Sequence, residues 1–278
     1  MPSKKTLTSI IDGATIRHPE GVAVADPFCP ISYDQSEVDG VKIPRFNLSL
    51  VDPDGQKHFV ETHTAAYEPL ENKVAMTLAR QVIERTDAAF KPADILWDGA
   101  RFTARFISER IVAEPVKGDI VALGLLVHNS YNASLTFGIR FFAERLACSN
   151  GMVLTQALGG FTLKHLNGKE ELFAEAAEQI LGAGARFPGV MSQLGQLASR
   201  PATLHSFTNW ALALDGGTPK FPQGNLLDVL HDLDTGSATL WDQLNAFTYI
   251  ASHKVAPFTG IDLSDRICRI ALNEARTN

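Results

Sequence analysis

Cysteine is scarce: Cys29, Cys148 and Cys268 are the three in 278 residues, far apart and with no Cys-x-x-Cys pair. An odd, scattered set argues against a disulfide framework or a zinc ribbon and fits reduced thiols. Long apolar runs are missing too. The longest, Ile120 to Val127, is bounded by Asp119 and His128, well short of the ~20 residues that cross a bilayer. The basic start Met1-Pro2-Ser3-Lys4-Lys5 leads into no apolar segment, so it does not read as a secretory signal. The expected setting is the cytoplasm, with no membrane partner.

Catalytic motifs are also lacking. There is no Gly-x-x-x-x-Gly-Lys-Ser/Thr loop, and Gly182-Ala183-Gly184 follows a helical pattern, not a strand, which removes the phosphate-loop and dinucleotide readings. No Gly-x-Ser-x-Gly elbow occurs. His58 and His63 stand five apart on a strand pattern and so face opposite ways, which disfavours metal ligation by the pair. Cys148 has Arg145 nearby but no histidine beside it in sequence, and packing suits it better than nucleophilic chemistry. Neither a cofactor nor a resident metal is expected.

What is present is an ordinary globular composition: 45% hydrophobic and 20% charged residues, in a chain long enough to bury a core unaided. The net charge of −6 is uneven: residues 101–200 sum to +2, while both flanks are acidic. A polyanion site therefore belongs in the middle third.

Residues 1–40 hold four prolines and little periodicity and read as an arm or irregular layer. Val41–Val51 and Lys57–Thr62 flank Asp52-Pro53-Asp54-Gly55, a hairpin signal. Asn72–Phe90 carries Val74, Leu78 and Val82 beside Ala75, Ala79 and Ile83, the stripe of an amphipathic helix. Arg101–Arg110, Gly118–Asn129 and Ala133–Leu146 are strand-like, the last two joined by Asn129-Ser130-Tyr131-Asn132. A strand at Phe161–Leu166 and a helix near Lys169–Leu181 capped by Asn167 follow, then a flexible connection at Gly182–Gly189. Helical pieces then come near Val190–Ser199, Leu226–Leu230, Leu240–Ser252 and Leu263–Glu274. The expected fold is α+β: an antiparallel sheet (a hairpin plus a three-stranded meander) packed with helices, in a core over 41–185 and a helical region over 186–278.

In the third run Leu135, Phe137, Ile139 and Phe141 alternate with Ser134, Thr136, Gly138 and Arg140; in the first, Phe102, Ala104 and Phe106 alternate with Arg101, Thr103 and Arg105. Period-two alternation places Arg101, Arg105 and Arg140 on a second face, expected to be open. Two readings of these arginines, with Lys117, stand side by side. They are ordinary surface cations paired with Glu109, Glu114 and Glu144, or they grip phosphates while Phe102 or Tyr131 contacts bases and Lys164 and His165 extend the groove. Arg145 falls on the Phe face and suits a structural pairing. A nuclease would draw on Asp94, Asp98, Glu109 and Asp119. An accessory protein that binds a host protein would show an apolar patch near Trp241 and Phe247.

Two segments go beyond generic chemistry. Gly118-Asp119-Ile120 through Arg145-Leu146-Ala147-Cys148-Ser149-Asn150-Gly151-Met152, and Leu240-Trp241-Asp242 through Asn245-Ala246-Phe247-Thr248 to His253, resemble the phage/plasmid-like protein family, long classed as a domain of unknown function. Arg145, Cys148, Asn150, Gly151, Trp241 and Asn245 carry that resemblance. Tyr249 stands where the family often has an acidic residue. The family in turn resembles, remotely, single-strand annealing proteins of the Rad-fifty-two type. That resemblance implies binding of single-stranded DNA and annealing of complementary strands in phage-type recombination, by a homo-oligomeric ring without nucleotide hydrolysis. It also implies self-association, with a phage exonuclease or a single-strand binding protein as further partners.

Overall fold

The computed structural model describes residues 14–18, 25–85, 88–147, 150–163, 182–233 and 236–277. The first part of the chain forms β1 (Thr15–Arg17), β2 (Ile31–Val38), β3 (Val41–Val51), β4 (Lys57–Thr64), α1 (Asn72–Arg85) and β5 (Phe90–Trp97). The middle forms β6 (Arg101–Val116), β7 (Asp119–Ser130), β8 (Phe137–Arg145), β9 (Asn150–Val153), a single turn α2 (Thr155–Leu158) and β10 (Gly160–Leu163). Helices α3 (Ala183–Gly195), α4 (Leu204–Asp215), α5 (Leu226–Leu233), α6 (Leu240–His253) and α7 (Pro257–Arg276) complete it. The fold is α+β with a helical C-terminal part. One sheet runs β2-β3-β4; the other runs β1-β5-β6-β7-β8-β10, with β9 also on β8. Among the described residues no helix is long and apolar enough to cross a membrane.

The described residues pack as two compact units that alternate along the chain. One draws on Met1–Phe106, Leu125–Ile139 and Gly160–Leu181, the other on Ile107–Gly124, Arg140–Gly159 and Gly182–Asn278.

In the first unit the β3–β4 hairpin forms where the turn residues predict it. Asp52 Oδ1 accepts from the N–H groups of Asp54 and Gln56 at 3.0 and 2.8 Å, and Gly55 takes the positive φ that the turn needs. The reading of residues 1–40 as irregular is corrected in two places. Thr15–Arg17 pairs with β5 in parallel, and Ile31–Val38 pairs with β3 through a tight Asp39-Gly40 turn with φ of 51° and 78°. Both central residues at positive φ make this the hairpin turn whose twist matches the strands. Helix α1 ends at Arg85, and its buried face is Ala75, Met76 and Ala79, whereas Val74 is exposed.

The end of β7 is interior, whereas the connection beyond Tyr131 is exposed at Ala133 and Ser134. Asn129, Ser130 and Tyr131 are all buried. Buried polar groups need partners, and here they have them. Asn129 Nδ2 donates to the Leu70 carbonyl at 2.7 Å and to Asn72 Oδ1 at 2.8 Å; Tyr131 Oη accepts from the Asn72 N–H at 2.9 Å. His63 Nε2 donates to the Tyr131 carbonyl at 2.7 Å, and its ring stacks on Tyr67 at 3.7 Å.

In the second unit glycines permit close approach. A Cβ on Gly124 would sit 2.2 Å from the Phe142 ring, and one on Gly260 would sit 2.1 Å from the Ala251 carbonyl oxygen. The expected flexible connection at Gly182–Gly189 is instead mostly the start of α3, with Pro188 inside it. The carbonyl-side clash of a helical proline falls four residues back, and there the chain has Gly184. Helix α4, unanticipated, opens with a capping box in which Thr203 and Ser206 each bond the other's backbone N–H.

Candidate functional site

On β6, Arg101 and Arg105 share a face by alternation, and Asp94 of β5 lies on that face. Arg105 Nη1 is 3.3 Å and Arg17 Nη2 3.9 Å from Asp94 Oδ2. Arg101 Nε donates to Asp98 Oδ2 at 2.7 Å, while Asp98 Oδ1 accepts from the backbone N–H groups of Ala100 and Arg101. Three guanidiniums thus sit over two largely buried carboxylates. Side-chain exposure is 64% at Arg17, 37% at Arg101 and 21% at Arg105.

The face is not the open one that alternation suggested. Thr103, between the two arginines, is 0% exposed. Phe102 and Tyr131 are buried as well, Phe102 against Phe28 at 5.7 Å and Tyr131 edge-on to Trp97 at 6.0 Å. Neither can contact a base, and that expectation is withdrawn. Lys164 and His165 lie outside the described residues, as does the helix expected near Lys169–Leu181.

Arg140 belongs to the second unit and is not on an open face. Its Nη1 donates to Asp262 Oδ1 of α7 at 3.1 Å, and its side chain is mostly buried. Lys117 is exposed at the β6–β7 turn. Aspartates pair with all three arginines: Asp98 is three residues from Arg101 and Asp94 eleven from Arg105, while Asp262 is 122 from Arg140, a pairing that strand spacing cannot reveal.

The two motif segments meet in the second unit. Arg145 Nε donates to both Asp119 oxygens at 2.7 and 2.8 Å, and Trp241 Nε1 donates to Asp119 Oδ2 at 2.8 Å. Arg145 therefore has the structural pairing anticipated for it. Asn150 Nδ2 donates to the Asn245 carbonyl at 3.2 Å, and Asn245 Nδ2 turns back to the Trp241 carbonyl at 2.9 Å. Strand β9 is clasped along its length. Ser252 Oγ accepts from the Gly151 N–H at 3.2 Å, and Ser264 Oγ accepts from the Val153 N–H at 3.0 Å while donating to the Gly151 carbonyl at 2.6 Å. Cys148 lies outside the described residues. Side chains of α6 and α7 satisfy backbone groups of β9 as a neighbouring strand would.

This triple contact of Asp119, Arg145 and Trp241 joins the segments that carry the resemblance, and the comparison with protein families agrees. A family model described as "Domain of unknown function (DUF932)" matches residues 60–267. The chain belongs to that family. No curated protein and no solved structure matches the chain. The family match spans both motif segments, the β9 clasp and all but the last turns of α7.

The suspected nuclease carboxylates are dispersed among other duties: Asp94 and Asp98 face arginines, Asp119 holds the motif contact, and Glu109 is exposed. Among the described residues no group of three or more His, Cys, Asp or Glu could hold a metal ion. The apolar patch expected at Trp241 and Phe247 is interior: both are buried, and the Phe247 ring packs on Phe207, Trp210 and Phe221 at 5.8, 5.9 and 5.0 Å. Tyr249, in contrast, is partly exposed and rests on His253 at 4.6 Å.

Proposed function

We propose that this protein binds single-stranded DNA and anneals complementary strands in phage-type recombination, in the cytoplasm, as a homo-oligomeric ring and without nucleotide hydrolysis. One observation carries the reading: Arg17, Arg101 and Arg105 gather along one strip of the first unit's sheet with Asp94 and Asp98, and Arg17 and Arg101 keep 64% and 37% of their side chains exposed. A guanidinium paired with a carboxylate can exchange it for a phosphate of the same bidentate geometry. Each copy supplies a short cationic strip, and a ring multiplies weak strips into one track through effective concentration. A chain of net charge −6 holds a polyanion by that means. With Phe102 and Tyr131 buried, the grip is to backbone and indifferent to sequence.

The test is binding of a labelled, unstructured oligonucleotide at several salt concentrations, with particle mass measured in parallel. Arg17→Gln with Arg101→Gln removes two exposed guanidiniums without stripping the buried Asp94 of Arg105. Affinity falls alike for all sequences, and the log–log salt slope flattens by about 0.7 for each phosphate that is no longer neutralised. Unchanged affinity and slope would sink the assignment, as would a wild-type protein that stays monomeric with and without DNA.

A further inference from the structure

The arginine strip carries its own counter-ions. Asp98 binds Arg101 twice over: its Oδ2 accepts from Nε at 2.7 Å and its Oδ1 from the backbone N–H at 2.6 Å. The Nε edge of that guanidinium, which a phosphate would use in a bidentate grip, is already taken by a carboxylate. Asp94 is held differently. Its contacts with Arg105 at 3.3 Å and Arg17 at 3.9 Å both fall on Oδ2, while its Oδ1 is buried without a hydrogen bond. Charge-assisted bonds close to about 2.7–2.9 Å. At the longer spacings seen here Asp94 acts on the two guanidiniums through its charge more than through bonding geometry.

Neither carboxylate is placed to leave when a DNA strand arrives. Asp98 is pinned by the N–H groups of Ala100 and Arg101. The Asp94 side chain is 8% exposed. An incoming phosphate therefore meets each guanidinium with a fixed negative charge beside it, and like charges at close range repel.

Resting on the reading of Arg17, Arg101 and Arg105 as the DNA grip, we propose that Asp94 and Asp98 are built-in competitors for phosphate. They hold the affinity of the strip down, so that a bound strand is released and re-paired. The sign of the effect separates this role from an architectural one. Losing a carboxylate that only positions its arginine weakens binding; losing a competitor tightens it.

The test is the affinity of a labelled, unstructured oligonucleotide for Asp98→Asn and Asp94→Asn across a salt series. Asp98→Asn keeps an oxygen for the Ala100 and Arg101 N–H groups, so it carries the test even where Asp94→Asn fails to fold. Asp262→Asn is the control for net charge, because it removes an arginine-paired carboxylate of the second unit, 3.1 Å from Arg140. Each strip variant binds more tightly, with a log–log salt slope steeper by about 0.7 for each phosphate gained. That is about fivefold at 0.1 M salt and nothing near 1 M. Asp262→Asn matches the wild type. Affinity unchanged or lowered in Asp98→Asn, or raised equally by Asp262→Asn, overturns the proposal; the grip itself survives that result wherever Arg17→Gln with Arg101→Gln still weakens binding. An oligonucleotide that neither the wild type nor Asp98→Asn binds overturns both readings.

Discussion

The indole N–H of Trp241 donates to the Asp119 carboxylate at 2.8 Å, across 122 positions of sequence. Both Asp119 oxygens also accept from Arg145 Nε, so one carboxylate ties the start of β7, the end of β8 and the start of α6. A largely buried carboxylate with two donors is stabilising only while both remain.

Trp241→Phe keeps an aromatic ring but removes the donor and part of the buried indole, and should cost about 2–3 kcal/mol in urea unfolding. Asp119→Ala leaves the indole and the guanidinium without their acceptor and should cost more, about 3 kcal/mol. The double variant is expected to be less destabilised than the sum of the two. Strict additivity would mean the indole bond contributes nothing.

The parts legible in the sequence are those with a local signal. Asp52 to Gly55 announces the β3–β4 hairpin, and alternation over Phe102–Phe106 and Phe137–Phe141 announces strands. Helix α4 has a weaker signal, the Thr203/Ser206 capping box, which stands out only once the helix is known. The same holds for the β2–β3 hairpin and its Asp39-Gly40 turn. Strand β2 itself, Ile31–Val38, is too polar for apolar alternation to mark it. The open-face expectation fails for a general reason: alternation separates two faces but does not say that either is wet. Gly138 of β8 shows this, since a Cβ there would meet His128 Nε2 at 2.2 Å. Pairings such as Arg140 with Asp262 span 122 residues, and no window of sequence contains them.

Two glycines in helices should respond in opposite directions to alanine. At Gly260 the added Cβ would press on the Ala251 carbonyl oxygen of α6, a backbone atom that cannot swing aside. Gly260→Ala should destabilise by about 1–3 kcal/mol, the range for overpacking. At Gly189 of α3 nothing lies within 4 Å, so alanine there gains the lower backbone entropy of the unfolded chain. Gly189→Ala should stabilise by about 0.5–1 kcal/mol. Melting temperatures moving the same way would refute the packing account.

The thiols offer a chemical check. Cys268 is fully buried, and burial pushes its thiol upward; Cys29 is also buried and raised by burial and by Asp26. Thiolate is the reacting form. A Cys148→Ser variant should therefore show no fast-reacting thiol with a disulfide reagent at neutral pH, and two on unfolding. Rapid labelling of the native variant would mean that one of these sites opens readily.

Tyr131 ties stability to alkaline pH. Its hydroxyl is buried and accepts from the Asn72 N–H at 2.9 Å, and burial raises its pKa well above that of a free phenol. Unfolded tyrosine ionises near pH 10. The folded state favours the protonated phenol, so its contribution is complete below about pH 10 and is lost as pH rises from there toward the raised folded value. Unfolding free energy should then decline above about pH 10. Tyr131→Phe leaves the Asn72 N–H without its acceptor and should cost about 1–2 kcal/mol at neutral pH. Its decline above pH 10 should be shallower, because one shifted phenol is gone. Tyr67, also raised by burial, supplies a remaining slope. Urea melts of both proteins across this pH range decide the matter: parallel curves would mean that the Tyr131 phenol ionises as easily folded as unfolded.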